Sequence, residues 1–137
     1  MGGSRVIVLD THVWVWWLSD PDRLSRRVVA AIEQEVAAGD PVRVSAISVW
    51  EVAMLVQRER LRLAVSLERW LSLARAMPEL DLVPVTPEIA HAAVALPGDL
   101  HKDPADRMIV ATARELGATL LTKDVRLLDY PHVRSLW

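Results

Sequence analysis

The chain has 137 residues, 52% of them hydrophobic and 25% charged, a length and balance that suit one globular domain and exclude a disordered chain. Its net charge of −2 provides no global positive field to gather a polyanion, so any nucleic-acid contact must be local. The absence of cysteine excludes a disulfide framework, a thiolate zinc site and a thiol nucleophile, leaving oxygen or histidine as metal ligands.

Residues 1–137 read as a single domain. The longest stretch without Asp, Glu, Lys or Arg, Ile89 to Gly98, falls well short of the roughly 20 apolar residues a membrane helix needs. Arg5 is followed almost at once by Asp10, which does not fit a secretory signal, and the expected compartment is the cytoplasm. Six Trp, one Tyr and no Phe beside abundant aliphatic residues suit helices packed on a buried sheet rather than an aromatic-rich nucleic-acid platform.

Arg5 to Leu9 is a continuous, β-branched apolar run, which predicts a strand buried on both faces, with Asp10 at its end. Thr11 to Leu18 is predicted as a short helix carrying Trp14, Trp16 and Trp17. Trp14 and Trp17 then share a face while Trp16 points away, so the three indoles are not equally buried. Ser19 to Asp22 reads as a turn or cap cluster. Ser25 caps a second helix whose apolar positions Val28, Val29, Ile32 and Val36 keep helical spacing up to the stop at Gly39. Val42 to Val44 is a brief strand, and Ser45 caps a helix from about Ala46 to Arg58. That helix is apolar nearly all round, the pattern of a buried helix, and the acid in its second turn, Glu51, needs a partner.

A further helix spans about Ser66 to Met77, and Leu80 to Val85 reads as a strand that Pro84 assigns to an edge. Thr86-Pro87-Glu88 opens a helix ending near Pro97-Gly98. Asp103-Pro104 starts another, closed by Gly117. Ala118 to Thr122 is a short strand followed by Asp124, and Tyr130 to Trp137 adds a last short strand. Strands alternating with helices predict an α/β fold: a three-layer αβα sandwich with a mainly parallel central sheet.

In an open parallel sheet, ligands bind outside the carboxyl ends of the strands. Asp10, Glu51, Asp103, Asp106 and Asp124 can all reach that rim. All but Glu51 also have an ordinary structural role open to them: Asp10 and Asp103 as helix caps, Asp106 as an acid favouring a helix dipole, and Asp124 as a turn residue. Facing one cleft, they would repel, and one or more would take up a proton unless a cation neutralised them. An all-oxygen donor set favours Mg²⁺ or Mn²⁺ over zinc. His12, His91, His101 and His132 show no ligand spacing; His91 reads as a core-edge or surface residue and His101 as a loop residue.

Four segments in order, Asp10-Thr-His, Ser45-Ala-Ile-Ser-Val-Trp-Glu51, His101-Lys-Asp-Pro-Ala-Asp-Arg-Met-Ile-Val-Ala111 and Leu121-Thr-Lys-Asp124, resemble the motifs of PIN-domain ribonucleases. The likeness is strongest to VapC-type toxins of bacterial toxin–antitoxin pairs, and it runs from Val6 to Asp124. The resemblance implies a PIN-like fold, an acid set of Asp10, Glu51, Asp106 and Asp124, and an Mg²⁺ or Mn²⁺ site. Asp10 and Asp106 are expected to hold the principal ion, with Glu51 and Asp124 completing the site or positioning the nucleophilic water. Thr11, Ser48 and Thr122 match small polar positions beside the metal, and Asp103 is an extra acid, placed as a helix cap near the ligands. Trp50 before Glu51 departs from the common pattern and identifies no substrate.

The resemblance further implies an endoribonuclease that acts as the toxin of a pair and inhibits translation and growth. Its expected partners are RNA, a cognate VapB-like antitoxin and a second copy of the chain in a homodimer. Arg107, Lys102, Lys123 and Arg126 flank the acids and are candidates for phosphate contact, or for surface ion pairs; Arg107 is also placed to brace Asp103 or Glu51.

Other classes fit less well. A receiver domain wants a phospho-acceptor Asp at the end of a central strand, where the mid-chain acid here is a helix glutamate. An aspartyl phosphatase wants Asp two residues after the first, where His12 stands. A non-toxin RNA-processing nuclease and a catalytically silent RNA- or protein-binding module remain as alternatives.

Overall fold

A computed structural model describes residues 6–137 of the chain; Arg5, to which the sequence gives the start of the first strand and the charge before it, lies outside the described residues. The five strands are β1 (Ile7–Leu9), β2 (Val42–Ser45), β3 (Leu80–Val83), β4 (Thr119–Leu121) and β5 (Arg134–Leu136). They lie in the order β3-β2-β1-β4-β5, and every pair is parallel. The helices are α1 (Thr11–Ser19), α2 (Arg26–Ala37), α3 (Ala46–Gln57), α4 (Leu67–Ala76), α5 (Pro87–Val94), α6 (Pro104–Glu115) and α7 (Val125–Leu128).

The alternation of side chains along β1 explains its unbroken apolar run. Ile7 and Leu9 face a core built with Trp14 of α1, Val28 of α2 and Trp70 of α4. Val8 faces the other way, into a core with Ile89 of α5 and Ile109 of α6. Helices therefore cover both faces, as the three-layer reading requires. Trp14 is completely buried, while Trp16 and Trp17 are only partly covered, which matches the expectation that the three indoles differ.

Side-chain caps start the helices where the sequence placed them: Ser25 accepts from the Val28 N–H, Ser45 from Ile47, Thr86 from Ile89 and Asp103 from Asp106. Gly117 closes α6 at φ +61°, a conformation that side chains with a Cβ rarely adopt. β3 is an edge strand and stops at Val83, one residue before Pro84.

The segment after Ser19 holds a 3-10 turn, Pro21–Arg23, in keeping with the turn or cap reading, and Asp124, for which a turn role is open, is the cap of the one-turn helix α7. One expectation is corrected: α3 is not a buried helix. Only Ser48 and Val52 are fully covered and Trp50 is 56% exposed, so the helix packs through a narrow stripe and leaves apolar side chains facing outward.

Candidate active site

After β3 the chain returns through α5 and α6 to lay β4 on the opposite side of β1, so the strand order reverses between β1 and β4. A parallel sheet opens a crevice at such a point. Leu9 pairs with Leu121, and the Asp10 N–H continues the ladder to the Leu121 carbonyl at 3.0 Å. Asp10 and Thr122 therefore leave the sheet side by side, and a cleft of about 610 Å³ opens there, lined by Asp10, Glu51, Asp103, Asp106 and Asp124. The sequence-predicted acids are all brought to one cavity.

Asp10 is nearly buried. One carboxylate oxygen accepts from the Thr11 N–H at 2.8 Å as the cap of α1, and the other accepts from the Thr122 hydroxyl at 2.7 Å. Thr122 also accepts from the Asp124 N–H at 3.0 Å, so a single hydroxyl ties the first acid to the start of α7. Burial raises the Asp10 pKa; the Thr122 hydrogen bond works against that rise and the nearby Asp106 charge adds to it.

Glu51 projects from the second turn of α3 toward α1. The Thr11 hydroxyl donates to its Oε1 at 2.5 Å, and the Thr11 and Ser48 hydroxyl oxygens are 2.8 Å apart. Because Thr11 spends its one proton on Glu51, Ser48 must donate to Thr11. Burial, only partly offset by Thr11 and reinforced by the charges of Asp10, Asp106 and Asp103, pushes the Glu51 pKa up to about 7.

Asp106 and Asp124 are held differently. The Asp106 N–H is capped by Asp103 at 2.9 Å, and its Oδ2 lies 2.7 Å from His101 Nε2. Burial raises its pKa and the His101 hydrogen bond opposes the rise. Asp124 is gripped by Arg126 through Nε at 3.2 Å and Nη2 at 3.0 Å, a fork that holds its pKa below the usual carboxylate value; the same Nη2 is 3.8 Å from Asp106. The Arg126 pairing is the ion pair that its place two residues after Asp124 allowed, whereas His101, read as a loop residue, touches the cluster only through the course of the loop before α6.

The flanking cations divide. Arg107 is bound to main-chain carbonyls, with Nε at 2.8 Å from Ala93 O and Nη1 at 2.9 Å from Leu100 O, so it braces the α5–α6 connection and holds neither Asp103 nor Glu51. Lys102 lies against a separate, more apolar cavity with Val94 and Met108. Lys123 and Arg126 do line the cleft, joined by Arg23, which sequence reasoning missed because it stands a hundred residues away from Lys123 and beside none of the candidate site acids.

Among the described residues no three acidic or histidine side chains converge tightly enough to form a ready-made ion cage in this side-chain arrangement. The donor set nevertheless suits a hard divalent cation. Its atoms are carboxylate and hydroxyl oxygens, and three of the acids carry raised pKa values to which their mutual repulsion contributes, a cost that a dication would relieve.

The family model described as PIN domain matches residues 7–133. The chain is 43% identical over 130 residues, 95% of either protein, to Ribonuclease VapC22 of Mycobacterium tuberculosis (strain ATCC 25618 / H37Rv). Among solved structures it superposes on VapBC2 from Rickettsia felis bound to a promoter DNA fragment with a TM-score of 0.70, at 15% identity, covering 96% of this chain and 97% of that one. It superposes on FitAcB from Neisseria gonorrhoeae with a TM-score of 0.68, at 24% identity and the same coverage. These two likenesses concern the fold.

Proposed function

The chain belongs to the PIN domain family, and from that premise we propose that it is a metal-dependent endoribonuclease, the toxin of a toxin–antitoxin pair that inhibits translation and growth. The observation that carries this reading is the meeting of Asp10, Glu51, Asp106 and Asp124 in one cleft at the point where the strand order reverses. PIN-domain ribonucleases are divalent-metal nucleases in general; for this chain we assign Mg²⁺, with Mn²⁺ as the close substitute, to Asp10 and Asp106. The bound ion supplies Lewis acidity toward the phosphate and lowers the pKa of coordinated water.

The chain's own residues supply the rest. Thr122 fixes the Asp10 carboxylate and His101 fixes that of Asp106, each through a short hydrogen bond that limits the rotamers of the acid. Ser48 orients Thr11, and Thr11 holds Glu51 by Oε1 at the wall of the cleft. In the metal-free site the Glu51 pKa is pushed up to about 7; with the ion bound the carboxyl would be ionised and could accept a proton from the attacking water. Asp103 holds the first turn of α6 in place beneath Asp106. Asp124 completes the acid set once Arg126 releases it.

The same reading carries a VapB-like antitoxin and a second copy of the chain as partners. Its support in this molecule is exposed apolar surface, with Trp50 on α3 at 56% and Val94 on α5 at 81% exposure. No described helix is long and apolar enough to cross a membrane, and the cytoplasm is where such an enzyme would meet its RNA.

Incubating the purified protein with mixed cellular RNA tests the proposal. Discrete fragments should form in Mg²⁺ and vanish in EDTA or with Asp106→Asn. Identical fragmentation by a folded Asp106→Asn protein would overturn the site assignment, and no fragmentation by a partner-free wild type would overturn the nuclease reading.

A further inference from the structure

The cleft has two chemically different walls. The acids form one, and the other is made from three distant parts of the chain: Trp16 in α1, Arg23 in the 3-10 turn, and Lys123 just after β4. The Arg23 guanidinium lies 4.7 Å from the centre of the Trp16 ring. The Lys123 ammonium is 5.8 Å from Trp16 and 5.8 Å from Trp137, whose rings are themselves 6.1 Å apart and edge-on. These are cation–π distances, and Trp is the strongest such partner. Among the described residues neither cation is paired with a carboxylate, in contrast to Arg126, which is committed to Asp124.

An acidic cleft repels the substrate it is supposed to cleave, and the chain as a whole carries net negative charge. Two cations posted on an indole at the mouth of that cleft resolve the conflict locally. The aromatic ring holds them without neutralising them, as a carboxylate partner would, so their N–H groups stay available to phosphate oxygens. A guanidinium plane and an indole also offer stacking surfaces to unpaired bases, which duplex RNA does not present.

We propose that Trp16, Arg23 and Lys123 form a nucleotide subsite for single-stranded RNA beside the carboxylates, with the two cations on the phosphate neighbouring the scissile one and Trp16 as their post. This rests on the nuclease reading for its biological meaning but is read out by binding alone. Trp16 is a positioning residue here: removing it changes no charge, yet it should release both cations.

Fluorescence polarisation with a short fluorescein-labelled single-stranded oligoribonucleotide, in EDTA and again in Ca²⁺, tests it. Arg23→Ala and Lys123→Ala should each weaken binding about tenfold and reduce the salt dependence by about 0.7 in the log–log slope, the share of one phosphate contact on a single strand. Trp16→Leu should weaken binding about as much, with Trp16→Phe restoring most of it, while Arg75→Ala on the exposed surface of α4 should change little. If the Arg23 and Lys123 variants bind no worse than Arg75→Ala, or the wild type binds RNA in neither condition, the subsite is overturned. RNA bound through this wall but left uncut in Mg²⁺ would uphold the subsite and sink the nuclease reading. RNA cut in Mg²⁺ by wall variants with unchanged KM would do the reverse.

Discussion

The two halves of the carboxylate cluster are stabilised by opposite means. Asp10 and Glu51 are tethered by neutral hydroxyls, Thr122 to the first and Thr11 to the second, whereas Asp106 is tethered by an imidazole and Asp124 by a guanidinium. Hydroxyl dipoles orient a carboxylate but leave its charge uncancelled, so burial dominates there and drives Glu51 to about 7. On the other side Arg126 already supplies positive charge, and Asp124 is held below its ordinary value. Asp10, Glu51 and also Asp106, whose pKa burial raises despite His101, are therefore poised to gain from an incoming dication, whereas Asp124 must exchange one cation for another.

The largest effect should come from the half with no cationic partner. Asp10→Asn removes the charge while keeping the shape, and cleavage should fall by more than the roughly 10–100-fold expected of Thr122→Val, which removes only the partner that orients it. Comparing the two variants by initial rate, with thermal melting as a check on folding, breaks the comparison if Thr122→Val proves the more damaging. On the other half, Arg126→Ala should free Asp124 and Asp106 for metal, so that the Mg²⁺ concentration giving half-maximal rate drops severalfold; a rise would mean that Arg126 assists the ion rather than competing with it.

The smallest effect is on stability. Glu51 has a folded pKa of about 7 against an ordinary 4.5, so between those values the folded state holds more protons than the unfolded one. Metal-free stability contributed by this group is then complete below about pH 4.5 and is lost as pH rises through 7. After allowance for solvent screening, melting at pH 5 and pH 7.5 should show a decline flattened by about 3 °C in Glu51→Gln. An unchanged slope in that variant would show that Glu51 is not the group under stress.

The strand that ends in Asp10, the caps at Ser25, Ser45, Thr86 and Asp103, and the ordering of the acids were all legible in the sequence, because each is a local pattern or a consequence of parallel topology. What was not legible depends on how distant segments meet. His101 sits five residues before Asp106, but only the fold of the loop turns its ring toward that carboxylate. Arg107 stands next to Asp106 yet points back to carbonyls of α5 and the loop, showing that adjacency in sequence is a poor guide to an arginine's partner. The apolar composition of α3 suggested burial. A helix covered on a single stripe and exposed elsewhere has the same composition, and periodicity cannot separate the two when nearly every position is apolar. Trp16 shows the converse: helical spacing separated it from Trp14, but Arg23 and Lys123 beside it could be seen only in three dimensions.

Calorimetric titration of Mn²⁺ into the metal-free protein at pH 6.5, repeated in buffers of different ionisation enthalpy, addresses the central claim that these acids form a cation site under electrostatic stress. Saturable binding accompanied by proton release is predicted, with binding lost in Asp10→Asn and the proton release reduced in Glu51→Gln. Absence of saturable binding by the wild type, or binding undiminished in Asp10→Asn, would contradict it.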